Sequence, residues 1–365
     1  MKIGVPKETA ANERRVALTP DVAGRLVKSG FEVIVEQGAG TAAYFPDGAY
    51  RAAGAGIGDR ISVLSESAIV LQVQPPNPAE LTHYREGSVL VAFFQPVSDL
   101  VRQLAQRKLT AFTLVLLPRI TRAQPMDVLS SQATVAGYKA VLLAATAAGR
   151  VLPMLVTAAG TLSAARVLVL GAGVAGLQAI ATARRLGAIV SAFDVRPAVK
   201  EQVQSLGATF LEMTIEEHAE TAGGYAKELS EETHRKELAF LAGAVKDADI
   251  VISTAAIPGK KAPVLITAAA VQGMKPGSVI VDLAAETGGN CELTQPGVEI
   301  VRDGVAILGP LNLPSTVPLH ASQMYAKNLS AFLGHIVQDG KLRLDFEDQI
   351  IRESCVTHAG EVRRT

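Results

Sequence analysis

Cysteine is scarce in this chain: Cys291 and Cys355 are the two among 365 residues. Their spacing suits neither a metal site nor a disulfide framework, so a reducing compartment fits. Charge of one sign is missing too. Thirty-five Lys and Arg balance 35 Asp and Glu, the formal net charge is +0, and no basic block stands out. That argues against a surface built for nucleic acid or an anionic membrane. No long apolar run goes unbroken. The most apolar region, 140–183, is interrupted by Arg150, Arg166 and several glycines, which suits helix–strand–helix units rather than a membrane span. The opening MKIGVPKE lacks the charged-then-apolar pattern of a signal peptide and reads as a first strand. There is no internal repeat or low-complexity segment.

What remains is a globular composition, 48% hydrophobic and 19% charged, with length enough for two domains and a large core. The stretch that organises it is 166–196, RVLVLGAGVAGLQAIATARRLGAIVSAFDVR. An apolar run suited to a buried strand leads into GAGVAG, with Gly171, Gly173 and Gly176. A small-residue helical segment and a second apolar run ending at Asp194 follow. A glycine triplet alone is weak evidence. Between a strand and a helix, with an acid 18 residues past the last glycine, it is the dinucleotide fingerprint in its required context. Gly171 permits the tight turn, Gly173 lets backbone approach a pyrophosphate, and Gly176 lets the helix pack. Asp194 can accept hydrogen bonds from an adenosine ribose and would repel a 2′-phosphate, which favours NAD(H). Arg196 pulls the other way, since an arginine there can serve a 2′-phosphate.

Around that stretch, apolar runs and helical patterns alternate. Candidate strands lie at 2–5, 32–36, 68–72, 89–94 and 112–117, with helices at 21–28 and 98–107, which argues for a first domain with a parallel sheet. The segment 119–127 is a polar loop, on its bland reading solvated with one internal Arg–Asp pair, and Ser130 or Ser131 can cap the helix that follows. Beyond Asp194, strands are expected at 208–211, 250–253 and 279–283 and a helix near 198–205. The charged segment 216–238 reads as a loop and then a solvated helix. Its Gly223–Gly224–Tyr225 is either a hinge able to fold over a ligand or a surface excursion. A long helix from about 321 to 337 can cross back to the first domain. The expected architecture is α/β: two Rossmann-like domains with parallel sheets, joined by two long helices with a cleft between. Residues 1–133 plus 320–365 make one domain and 134–319 the other.

GVPKE and NERRVALTP within 4–20, RAQPMDVLSSQ at 122–132, GAGVAG, DVR, ETAGGYAKE at 220–228 and DLAAETGGNCE at 282–292 occur in that order. Together they resemble the NAD(H)-binding domain I of proton-translocating nicotinamide nucleotide transhydrogenase, over nearly the whole chain. GVPKE and NERRVALTP are shared with alanine dehydrogenases, whereas RAQPMDVLSSQ and AGGYAKE are specific to transhydrogenase. The resemblance implies a nicotinamide-site loop at 119–130. There Gln124 contacts the nicotinamide ribose, Arg119 and Asp127 shape the loop, and Leu129 and Ser130 complete the pocket. Arg119, Gln124, Asp127 and Ser130 are the catalytic set it implies. Val174, Asp194, Val195 and Arg196 match adenosine and pyrophosphate contacts, Gly224 and Tyr225 a mobile closing loop, and Ala256 a turn flanking the nicotinamide. It further implies a homodimer that docks on a separate NADP(H)-binding subunit, with membrane-spanning subunits translocating protons. The implied location is the cytoplasmic face of the membrane, and the implied activity is of the Re/Si-specific type.

Departures from the dehydrogenase branch matter as much. Alanine dehydrogenases carry a lysine near Gln74 and a histidine near Gln95. Both are glutamine here, and their acid near Glu286 is usually an aspartate. Arg15 matches the dehydrogenase carboxylate ligand but alone cannot run imine chemistry. Reducing a keto acid needs a proton at oxygen or nitrogen. A hydride passing between two nicotinamides changes no heteroatom protonation, so a site without a proton donor suits the second reaction. A freestanding amino-acid dehydrogenase and a non-catalytic NADH-sensing module are the rival readings.

Overall fold

A computed structural model of the chain describes residues 1–213, 230–257 and 260–364. They divide into two compact units, Met1–Gln132 with Pro314–Thr365, and Ala133–Leu313.

The first unit begins with six parallel strands, β1 (Lys2–Val5), β2 (Glu32–Glu36), β3 (Gly56–Gly58), β4 (Ile69–Leu71), β5 (Val89–Ala92) and β6 (Thr110–Thr113). They lie in the order β3-β2-β1-β4-β5-β6. Every residue of β4, β5 and β6 is buried, as it must be when helices cover both faces. Alternation divides the core accordingly. Ile69, Leu71, Val89 and Val91 join one apolar cluster, and Val70, Leu90 and Ala92 another. The covering helices are α1 (Pro20–Lys28), α2 (Asp47–Ala52), α3 (Arg60–Glu66) and α4 (Ser98–Gln106). In α1, Pro20 opens the first turn with Asp21 beside it, and Arg25 and Lys28 occupy the last, each charge where the helix dipole favours it.

The helix α5 (Val128–Ala147) contains the boundary between the units. Its cap corrects the sequence expectation. Asp127, rather than Ser130 or Ser131, takes the cap position, accepting the Ser130 amide at 2.9 Å and the Ser130 hydroxyl at 2.5 Å. By length and composition α5 could cross a membrane, with mean hydropathy 1.2, a property the sequence reading assigned to no stretch. Its Ala140, Val141 and Ala144 are core residues of the second unit.

The second unit opens with a small hairpin, β7 (Leu155–Thr157) and β8 (Gly160–Leu162), all six residues exposed. Its main sheet holds β9 (Arg166–Leu170), β10 (Ile189–Phe193), β11 (Thr209–Phe210), β12 (Ile250–Ser253), β13 (Val279–Asp282), β14 (Glu299–Arg302) and β15 (Val305–Leu308). The order is β11-β10-β9-β12-β13-β15-β14. Helices α6 (Val174–Arg185), α7 (Lys200–Ser205), α8 (Glu231–Asp247) and α9 (Ala268–Gln272) accompany it. Through its parallel strands each sheet follows the doubly wound order 3-2-1-4-5-6. The strand order therefore reverses between β1 and β4 in the first unit and between β9 and β12 in the second, the places where such sheets take ligands.

The chain leaves the second unit near residue 313, and α10 (Pro318–Ile336) belongs to the first. Its Ala321, Tyr325, Leu329, Phe332 and Ile336 are fully buried there. A short hairpin of β16 (Val337–Gln338) and β17 (Lys341–Leu342), then α11 (Gln349–Ser354), lead to β18 (Cys355–His358) and β19 (Glu361–Val362). These last strands extend the first sheet beyond β6 in antiparallel fashion, as β14 does in the second. The expectation of parallel sheets thus needs correcting at one edge of each. Three of the antiparallel pairs, β14–β15, β16–β17 and β18–β19, share a cause. Asp303-Gly304, Asp339-Gly340 and Ala359-Gly360 each adopt positive φ at both positions, the two-residue turn whose twist matches a hairpin.

Candidate functional site

At the reversal point of the second unit, the three glycines do three different things. Gly171 follows β9 with φ +92°, and a Cβ there would stand 2.8 Å from Thr254 Oγ1. Gly176 lies in the first turn of α6, where a Cβ would meet the Gly171 carbonyl oxygen at 1.9 Å. Gly173 is the N-cap of α6, and a Cβ on it would meet nothing within 4 Å. Two glycines thus let the chain pack on itself, while the middle one leaves bare backbone at an uncapped helix start. Backbone amides and the dipole there favour a phosphate. Val174 follows, 37% exposed, an apolar residue held at the mouth of the turn. Gly137 of α5 is a further requirement that sequence reasoning missed. A Cβ on it would lie 2.1 Å from the Ala175 carbonyl, so only glycine lets α5 approach the start of α6.

Asp194 follows β10 and is buried. Its Oδ2 accepts the Ala172 amide at 2.7 Å, which ties the strand end to the glycine turn. Its Oδ1 accepts the Arg196 amide at 2.9 Å, and the Arg196 guanidinium adds Nε–Oδ1 at 2.9 Å and Nη2–Oδ2 at 2.8 Å. Arg196, read from sequence as opposing Asp194, is its ion-pair partner. Val195 between them packs on the apolar cluster behind the sheet.

The other side of the reversal point is formed by the exits of β12 and β13. Thr254 donates through Oγ1 to the Gly171 carbonyl at 3.0 Å. Ala256, two residues on, is exposed. Asp282 closes β13 fully buried, and five donors meet its carboxylate: Ser253 Oγ, Thr294 Oγ1 and the amides of Ala284, Asn290 and Cys291. That one charge fixes the loop that carries Glu286. Glu286 itself is exposed and accepts the Asn312 amide at 2.8 Å. Gly224 and Tyr225 lie outside the described residues, so their expected closing role has no structural counterpart here.

In the first unit, Thr121–Met126 forms a 3₁₀ segment leading to the Asp127 cap. Arg119 and Gln124 are exposed, and Leu129 and Ser130 are half-buried in the first turn of α5. The segment is held by α10. Asn328 donates from Nδ2 to the Pro125 carbonyl at 2.8 Å and accepts the Ser131 hydroxyl at 2.7 Å, while Gln132 donates to the Ala321 carbonyl at 3.2 Å. Asn328 therefore braces the residue next to Gln124. Sequence reasoning missed it because it lies about 200 residues away, at |i−j| = 203.

The first unit has its own reversal point, and its own side chains fill it. Arg15 is 3% exposed; Glu13 takes its Nε at 2.8 Å and Nη2 at 2.6 Å, and Gln132 takes Nη1 at 2.9 Å. Gln74 donates to Glu13 at 2.7 Å. Glu8 accepts the amides of Val73 at 2.6 Å and Gln74 at 3.1 Å. Burial pushes the Glu13 carboxyl upward, but its bonds and attraction to Arg15 outweigh this and bring it down to about 2. Among the described residues Glu8 has no such cation at bonding distance, and burial pushes it up to about 7. Gln95 is exposed.

Known proteins match this chain along nearly its whole length. Residues 4–136 match the family model described as alanine dehydrogenase/PNT, N-terminal domain, and residues 140–365 match the C-terminal domain. An NAD(P) transhydrogenase alpha-subunit chain of Rhodospirillum rubrum is 50% identical over 374 residues, 99% of this chain and 97% of that protein. The solved structure of transhydrogenase from Sinorhizobium meliloti is 45% identical, with a TM-score of 0.90 over 99% of this chain and 100% of that one. An L-alanine dehydrogenase structure is more distant, 27% identical with a TM-score of 0.83 over 100% of this chain and 97% of that one. The chain belongs to the alanine dehydrogenase/PNT family, on its transhydrogenase alpha-subunit branch.

Proposed function

We propose that this chain is the NAD(H)-binding subunit of a proton-translocating NAD(P)⁺ transhydrogenase, handing a hydride from NADH to NADP⁺ held on a partner subunit. The observation that carries the reading is the contrast between the two reversal points. The second unit leaves bare backbone at Gly173, beside a helix start and a strand-end acid, which fits a dinucleotide. The first unit fills the equivalent place with the Glu13–Arg15 pair and Gln74. An arginine so engaged is poorly placed to take a substrate carboxylate, and neither Gln74 nor Gln95 can donate a catalytic proton.

When bound, the dihydronicotinamide supplies the hydride. The chain's residues bind and orient. The Gly171–Gly176 turn receives the pyrophosphate and Asp194 faces the adenosine ribose. Arg119, Gln124, Asp127, Leu129 and Ser130 form the loop that sets the nicotinamide end, and Gly224 and Tyr225 close over the nucleotide. No residue is asked to move a proton, so catalysis is positioning. Proton translocation falls to membrane-spanning partner subunits, through which this chain sits on the cytoplasmic face of the membrane. The relative from Rhodospirillum rubrum is named as a subunit, which supports such a division of labour.

The reading includes a homodimer. Residues 151–163, around β7 and β8, carry no charge, and Met154, Val156 and Leu162 are 63%, 72% and 55% exposed. An isolated hairpin is marginal in water and an apolar patch invites cover; a second copy of this chain supplies it.

One mixing experiment tests the function. The chain is combined with a recombinant NADP(H)-binding transhydrogenase domain, and NADH-dependent reduction of bound NADP⁺ is followed. Binding of NADH without transfer would leave only the sensing module. Turnover of alanine with NAD⁺ would establish the dehydrogenase instead.

A further inference from the structure

Asn290 lies in the loop after β13 and is fully buried. Its Nδ2 donates to two backbone carbonyls, Ala255 at 2.9 Å and Pro263 at 2.8 Å. Its own amide is held by Asp282 at 2.7 Å, and its own carbonyl accepts the amides of Leu265 and Ile266. The two Nδ2 bonds fix which end of the carboxamide is nitrogen, so Oδ1 is an acceptor, and it has no donor among the described residues. Buried acceptors are nearly always paired. This side chain is therefore placed for its two N–H groups, and its oxygen adds nothing to the fold.

Those two N–H groups tie together both ends of one stretch of chain. Its first end abuts the nucleotide turn: a Cβ on Gly171 would stand 3.0 Å from the Ala255 amide nitrogen, and neighbouring Thr254 bonds the Gly171 carbonyl. In a sheet of this order a dinucleotide lies across the reversal point. Asp194 beyond β10 marks the adenosine side, which leaves the nicotinamide half over the exits of β12 and β13. Ala256 is in the stretch that Asn290 closes.

We infer that Asn290 is a positioning residue for the nicotinamide half of the dinucleotide, acting by holding the Ala255 and Pro263 carbonyls and so the backbone around Ala256. The inference rests on the second unit's crevice being the NAD(H) site. It separates two quantities that a purely structural residue would move together: affinity for the whole dinucleotide, and affinity for ADP-ribose, which lacks the nicotinamide.

The test is calorimetric titration of the full chain with NADH and with ADP-ribose, on wild type, Asn290→Ser and Asn290→Ala. Asn290→Ala is expected to lose about tenfold of the NADH-over-ADP-ribose preference, the scale of one or two lost hydrogen bonds, with ADP-ribose affinity within about twofold of wild type. Asn290→Ser, which keeps a donor on a shorter side chain, should fall between. A preference unchanged in both variants, or both affinities falling in step, overturns the inference. If Asn290→Ala does not fold, Asn290→Ser decides by the same ratio. Failure of the wild-type chain to prefer NADH over ADP-ribose would instead remove the site reading on which the inference stands.

Discussion

Arg196 grips Asp194 with one edge of its guanidinium, Nε on Oδ1 at 2.9 Å and Nη2 on Oδ2 at 2.8 Å. With the amides of Ala172 and Arg196 added, four donors meet the two carboxylate oxygens. The residue that would welcome a 2′-phosphate is thus held by the one that would repel it. Asp194→Ala removes the repulsion and releases the arginine together. NADH affinity should fall by about tenfold or more, as when charge-assisted bonds are lost, and discrimination against NADPH should relax. Competitive binding of the two nucleotides reads both effects; an unchanged preference refutes the ribose assignment.

Gln124 sits exposed on a segment braced through Pro125 by Asn328. Shortening it by one methylene leaves the brace intact and moves only the amide. Gln124→Asn should slow hydride transfer by up to about 10²-fold, the cost a misplacement of roughly 1 Å brings, while NADH affinity changes little. Single-turnover rates set beside titration give the comparison, and equal losses in both would mean that the loop only binds.

Glu8 gives the first unit a pH signature. Burial raises its carboxyl from 4.5 to about 7, so the folded chain keeps a proton that the unfolded chain releases. The stability this group contributes is full below 4.5 and is lost as pH rises through 7. Glu8→Gln stays neutral at every pH and should flatten that part of the profile. Thermal melts at pH 5 and pH 8 suffice: the wild-type loss between them should shrink in the variant, and parallel curves would rule the effect out.

The hairpin proposal is tested by charge. Val156 is 72% exposed and pairs with Thr161 across the hairpin, so an aspartate there leaves the monomer's fold undisturbed. It would nevertheless bury a carboxylate in any interface formed over the hairpin. Sedimentation of Val156→Asp should show monomer where wild type shows dimer. Dimer in both places the interface elsewhere.

The sequence was most legible where local signals agree. Lys2–Val5, Glu32–Glu36 and Ile250–Ser253 stand at the residues their apolar runs predict, each with an abrupt end. The glycine turn was legible because each glycine answers a local backbone demand. The hairpins were not, although Asp-Gly at 303–304 and 339–340 is a strong hairpin signal. Their strands are four residues or fewer, too short for alternation to register. Asp127 was passed over for the serines because which residue caps depends on where the helix begins. Asn328, Asn290 and the Arg15–Gln132 bond were out of reach for another reason. Each joins segments far apart in sequence, and no periodicity or spacing encodes such a meeting.

The closing strands carry a last consequence. Thr357 Oγ1 donates to the Leu109 carbonyl across a separation of 248 residues, and β18 pairs with β6. The second unit, by contrast, is one uninterrupted stretch. As the chain leaves the ribosome, the second unit is complete while β6 still presents an open edge. The first sheet waits for residues 355–362 to cover that edge, so the region made first is the region finished last.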